Sequence, residues 1–139
     1  MKKFLHDIAE RIKSMRQGRT RTQYRIVWEK EVARIDWLAM ENSRGSVQFS
    51  WDEVLAVDAF KRDYFAVDCI CLAFQTPDGW IETNEEMNGW SDFLSFTESR
   101  LPGFPPREVW WRNVAFPAFA PNHSRLWTKT PGPADRANR

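Results

Sequence analysis

Apolar and polar positions change rhythm several times along this chain, and each change predicts an element. From Lys2 to Gln17 the apolar residues Phe4, Leu5, Ile8, Ile12 and Met15 recur every three or four positions. That period predicts an amphipathic helix, stopped at Gly18. A basic connector, Arg19–Arg25, follows. Tyr24, Ile26 and Trp28 then alternate with polar neighbours, and a second alternation runs from Val32 to Glu41, which is strand periodicity. Asn42-Ser-Arg-Gly45 is a turn signal and predicts a hairpin into Ser46–Ser50. Ser50-Trp51-Asp52-Glu53 reads as a corner with Ser50 capping a single turn.

Strand character resumes at Val54–Lys61, and the charged Lys61-Arg62-Asp63 is expected as a hairpin loop or the frayed end of that strand. Phe65–Phe74 is the most apolar run, and its length and β-branched content predict a strand covered on both faces. Thr76-Pro77-Asp78-Gly79 is a turn, and Trp80–Asn84 a short return strand. Asn88–Arg100 reads as a helix with Asn88 at its N-cap, ended by the Pro/Gly-rich stretch after Leu101. One or two further helical turns are expected over Arg107–Asn113. The proline-rich Phe116–Pro121 is expected to wrap in extended form and pack two Phe onto the body. Arg125–Lys129 reads as a last edge strand. The fold class is therefore α+β, a bent antiparallel β-meander closed by a C-terminal helix, with an additional N-terminal amphipathic helix. Residues 1–21 form the helix and connector, 22–129 a single domain and 130–139 a disordered tail, since Thr130–Arg139 has almost no apolar content.

Composition sharpens this reading in two ways. Eight Trp and ten Phe supply much burial from few positions, with some left for an interface. The net charge of +1 hides three regions. Met1–Lys30 holds nine basic and three acidic residues, Glu31–Glu108 six and fifteen, and Val109–Arg139 five and one. The ends attract polyanions and the middle repels them. No run approaches the ~18 apolar residues of a membrane span. Lys2 and Lys3 do not lead a signal peptide, because Asp7, Glu10 and Arg11 interrupt the apolar core it would need. Cys69 and Cys71 would share one strand face in a geometry poor for a disulfide, and free buried thiols fit a reducing cytoplasm.

Candidate chemistry centres on Asp78–Trp90, the densest cluster of acids. Glu82 and Glu86 would share one face of the return strand, with Glu85 opposite. Two carboxylates so placed can act as an acid–base pair or hold a cation, with Asp58, Asp63 or Asp68 converging on them. Equally, Glu85 or Glu86 can accept backbone N–H bonds at the start of the following helix. The Trp residues flanking the acids suggest a hot spot for a basic partner. Its expected members are Glu82, Glu85, Glu86, Trp80, Trp90 and Trp111. The alternative is a nucleic-acid site on Arg19, Arg21, Tyr24 and Arg25, where Arg and Tyr alternate. Cys69, Cys71, His6 and His123 lack the spacing of a zinc site. There is no phosphate loop, nucleophile elbow, metalloprotease motif or dinucleotide fingerprint. The expectation is a non-enzymatic protein without cofactor or metal.

Several short motifs carry a family resemblance. They are Trp51-Asp-Glu-Val54, Lys61-Arg-Asp63, Asp68 through Phe74, Asp78-Gly79, Glu85-Glu86-Met-Asn-Gly-Trp90, and Trp110 followed by Ala115-Phe-Pro-Ala-Phe-Ala-Pro-Asn122. From Trp51 to Trp127 the chain resembles a set of small uncharacterised bacterial proteins with a pleckstrin-homology-like build. The resemblance implies a strongly bent antiparallel sheet closed at one end by a helix. Some similar small bacterial domains are immunity proteins that block a toxin. Together with the acidic middle, this gives the functional expectation: a non-catalytic cytoplasmic interaction module, of immunity type, that inhibits a basic protein. The alternative is a nucleic-acid-binding accessory protein.

Overall fold

A computed structural model describes residues 22–39, 43–64, 67–117 and 122–130. The predicted N-terminal helix, Arg19, Arg21 and the tail beyond Thr130 lie outside the described residues. The rest is α+β, with seven strands in two antiparallel sheets and two α-helices among the described residues.

The first sheet has the order β1-β2-β3, from Gln23–Trp28, Val32–Leu38 and Arg44–Ser50. The alternation read from the sequence sets its register. Ile26, Ile35 and Val47 lie side by side, as do Trp28, Ala33 and Phe49. These residues turn one face to the core, while Arg25, Arg34 and Gln48 point outward and are exposed. A 3-10 turn at Trp51–Glu53 carries the chain to the second sheet. The predicted corner is present, but Ser50 makes no side-chain cap.

The second sheet has the order β6-β5-β4-β7, from Gly79–Asn84, Val67–Thr76, Ala56–Tyr64 and Ser124–Thr128. Two antiparallel sheets thus replace the single meander expected, and β7 returns to the edge of β4 instead of following its sequence neighbour. Every residue from Cys69 to Phe74 is buried, so the run is covered on both faces as its composition predicts. Lys61 and Arg62 are not in a loop; both belong to β4, opposite Ile70 and Cys69. The strand accommodates these charges because each finds a carboxylate: Asp68 for Lys61 and Glu82 for Arg62.

Between the sheets lies an aromatic cluster centred on Trp51, which is 1% exposed. Its ring lies 5.3 Å from Phe49, 6.1 Å from Phe74, 5.7 Å from Phe93 and 5.4 Å from Phe96. Its indole N–H donates to the Glu29 carbonyl at 3.1 Å, so the one polar atom on the ring is satisfied. Phe93 and Phe96 come from helix α1, Trp90–Arg100, which lays its buried face on this cluster.

Helix α1 starts two residues later than predicted. Asn88 is not the cap, because its backbone pairs with β1: its N–H donates to Tyr24 O at 3.0 Å and its carbonyl accepts from Ile26 N at 2.9 Å. Gly89, at φ 91°, makes the bend from that extended residue into the helix. A side chain there would strain the backbone and press on the Ile26 carbonyl at 3.0 Å. Helix α2, Arg107–Ala115, follows, and the Glu98 carboxylate of α1 accepts the Arg107 backbone N–H at 2.9 Å. Trp110 and Val114 face inward. Phe116 does not pack onto the body as expected: it is 61% exposed, with its ring against Trp111. Phe119 lies outside the described residues.

Candidate functional site

The predicted partner-binding residues occupy separate places. Trp80 is the second residue of β6, which follows the two-residue turn Pro77-Asp78. Thr76 holds that turn, its hydroxyl oxygen accepting the Asp78 N–H at 3.2 Å and its O–H donating to Gly79 O at 2.9 Å. With β6 so placed, Gly79, Trp80 and Ile81 line a cleft of about 250 Å³ together with Val47, Gln48 and Phe49 of β3. Asp78 and Glu53, both exposed, are the charged groups in its lining. β3 is the edge of its sheet, paired with β2 without a bulge from Arg44 to Ser50. An unbroken edge of this length presents a row of backbone donors and acceptors.

Glu82 is not on this surface. It is 0% exposed, and its two oxygens receive the Arg62 Nε at 2.6 Å and Nη2 at 2.7 Å. The physical reason is its place in the ladder, opposite Ala73 on the buried central strand. Glu85 accepts backbone hydrogen bonding, as its position suggested, but from a strand and not from the helix start. Its Oε1 takes the Ile70 N–H at 3.0 Å, and its own N–H donates to Ile70 O at 3.0 Å, extending the β5–β6 ladder. Glu86 is exposed, and its N–H donates to the Asn84 side chain at 2.9 Å. Trp90 is half-buried at the first residue of α1. Trp111 is 37% exposed on α2, with its ring against Phe116 at 6.0 Å, while its neighbour Trp110 is buried. Of the alternative nucleic-acid set, Tyr24 is buried in the core and Arg25 is exposed.

The carboxylates offered for acid–base work do not converge either. Asp58 and Glu82 flank Ala73 in one row of the sheet, each engaged with its own cation. Asp58 is the acceptor of an ion cluster that the sequence did not signal. Arg125 donates from Nε at 2.7 Å, and the Nε2 of His123 lies 2.8 Å from Oδ2. The cluster exists because β7 pairs with β4 through a register shift at Val57/Asp58, a long-range event that no local motif marks. It staples β7 to its neighbour, and the Arg125 guanidinium also lies over the Trp80 ring at 6.0 Å. The Asp63 side chain lies outside the described residues. Among the described residues no three His, Cys, Asp or Glu side chains gather as a metal site.

Cys69 and Cys71 are free and buried. The Cys71 thiol lies well above its ordinary pKa, first through burial, then through its hydrogen bond with Cys69 and the nearby Glu82 charge. A thiol held neutral in this way is a poor nucleophile. No described helix is long and apolar enough to cross a membrane. Comparison of the chain with known protein families, curated proteins and solved structures finds no match.

Proposed function

We propose that this chain is a non-catalytic interaction module of pleckstrin-homology-like build, which takes an extended basic segment of a partner protein along the edge of β3. The observation that carries this reading is the bulge-free edge of β3, which pairs with no second strand among the described residues, beside the Trp80 cleft. Natural sheets usually blunt such an edge with proline, a bulge or several charges, whereas Arg44–Ser50 has one charge and neither of the others. A partner strand added there gains main-chain hydrogen bonds, and alternate side chains enter the cleft between Val47, Phe49 and Trp80. Asp78 and Glu53 then favour Lys or Arg at the positions beside them.

Two antiparallel sheets closed over an aromatic cluster by α1 support the pleckstrin-homology-like build. Blocking a basic toxin as an immunity protein fits a surface of this kind, and the two free thiols fit a cytoplasmic location. The acidic rim moves from the expected Glu82–Glu86 to Glu53 and Asp78, and Trp80 is the member retained.

The test uses a fluorescein-labelled octapeptide of alternating Lys and Val. It should bind the full chain at low salt and protect β3 amides from hydrogen exchange. Trp80→Ala should weaken binding about tenfold, on the scale of an interface hot spot. The pair Glu53→Gln and Asp78→Asn should remove most of the salt dependence. Binding unchanged by all three substitutions would overturn the reading. So would a dimer joined through β3, since a second copy would then occupy the edge.

A further inference from the structure

The outward face of the first sheet is unlike the rest of the acidic middle. Arg25, Arg34 and Arg44 stand on three adjacent strands and line a depression of about 710 Å³. One carboxylate, Asp36, lies among them. It accepts from Arg34 Nε at 2.7 Å and Nη2 at 3.2 Å, and lies 3.5 Å from Arg25 Nη2. Asp36 therefore orients two guanidiniums while cancelling only one charge, and Arg44 adds a third cation. We propose that this face binds a nucleic-acid backbone, independently of base sequence.

The placement of the arginines selects among anions. The register sets Arg25 opposite Asp36, Arg34 opposite Gln48 and Arg44 opposite Leu38. With strands about 4.8 Å apart and same-face residues about 6.8 Å apart, the Cα atoms of Arg34 and Arg44 are separated by about 14 Å. Three guanidiniums spread over that length can each take a separate phosphate of a chain. An acidic peptide gains little here, because main-chain groups lie in the plane of the sheet and its face offers side chains only. Phosphodiester oxygens need nothing more: guanidinium forks bind them, and Gln23 and Gln48 are neutral donors in the same lining. No outward position of the three strands is aromatic, and of the two aromatics in the lining Tyr24 is buried and Trp37 half-buried, so base stacking is a minor part of this surface. The chain also enters β1 directly from its most basic stretch, which includes Arg19 and Arg21.

The test measures binding of the full chain to a fluorescein-labelled 20-nucleotide mixed-sequence strand and to its duplex, over a salt series. Changing Arg25, Arg34 and Arg44 together to Gln should cut affinity at least tenfold. For the duplex it should flatten the log–log salt slope by about 2.7, or roughly 0.9 per arginine. Single substitutions should each remove about a third of that, and Arg107→Gln, on α2, should change nothing. Inorganic polyphosphate and polyglutamate serve as competitors. Competition by polyglutamate as strong as by unlabelled strand would overturn the proposal in favour of an acidic protein. Binding of polyphosphate without either nucleic acid would overturn it too. A triple variant that binds as wild type, with an unchanged melting curve, would place any binding elsewhere and remove this face as a site.

Discussion

Arg62 grips Glu82 through both carboxylate oxygens, at 2.6 and 2.7 Å, with the acid fully buried and the arginine side chain one-third exposed. The asymmetry predicts unequal costs. Arg62→Ala leaves a buried carboxylate without its bidentate cation and should destabilise the fold by about 3 kcal/mol. Glu82→Gln leaves a guanidinium that can turn to water, and should cost less, about 1–2 kcal/mol. Urea unfolding of both variants checks the order. Neither should alter binding of the basic peptide by the folded fraction, because the pair lies outside the cleft.

Lys61 should prove as important as a core apolar residue. Its side chain is 1% exposed, and its ammonium donates to the carbonyls of Ala115, at 2.7 Å, and of Pro117, with Asp68 3.4 Å away. It thereby ties the end of α2 to β4. Lys61→Met keeps much of the apolar stem but removes the donor, and should cost about 2–4 kcal/mol. Hydrogen exchange should quicken first in the last turn of α2.

Gly45 is required by contact with Trp37. A Cβ at this position would stand 2.4 Å from the Trp37 Cζ2 atom, well inside contact distance. Gly45→Ala must push the indole aside and should cost about 1–3 kcal/mol in a thermal or urea melt. The double change Gly45→Ala with Trp37→Leu should recover part of that loss, because the smaller side chain vacates the space.

The Cys71 thiol gives stability a defined alkaline slope. Its folded pKa is raised above the ordinary 9.0, chiefly by burial. Below about pH 9 the thiol is protonated in both states and the slope is zero. Above it the unfolded chain loses the proton first, so stability falls until the folded pKa is passed. The fall should approach about 1.4 kcal/mol per pH unit at most. Lys and Tyr also titrate in this range, so the measurement is the difference between wild type and Cys71→Ala, whose slope should be the shallower. A thiol reagent at pH 8 should label neither cysteine until urea unfolds the chain.

Much of the fold was legible residue by residue. Alternation located β1 and β2, the turn signal Asn42–Gly45 pointed to β3, and the apolar run located β5 because a strand covered on both faces has no polar side to show. The turn at Pro77-Asp78 was legible because its φ preferences are local. The errors fall where a local signal meets a distant partner. Lys61 and Arg62 read as a hairpin loop or a frayed strand end, since nothing nearby in sequence shows that Asp68 and Glu82 will pair with them. Asn88 resembled a helix cap, since its pairing with β1 spans the whole domain. The candidate sites were less legible still. The sequence pointed to Trp80 and Arg25, but the cleft beside β3 and the company of Arg34 and Arg44 arise from strand pairing.

By itself, then, the sequence determined the kinds of elements, most of their positions and the richness in aromatic residues that fills the core. These depend on side-chain period and on backbone preferences acting over a few residues. Only the tertiary structure decided which charges are buried and which face water. It drew Glu82 into the interior, split the acidic stretch between ladder, turn and surface, and set three arginines on one outward face. The reason is that a charge's environment is the sum of its neighbours in space, and in an antiparallel sheet those neighbours come from strands far apart in the chain.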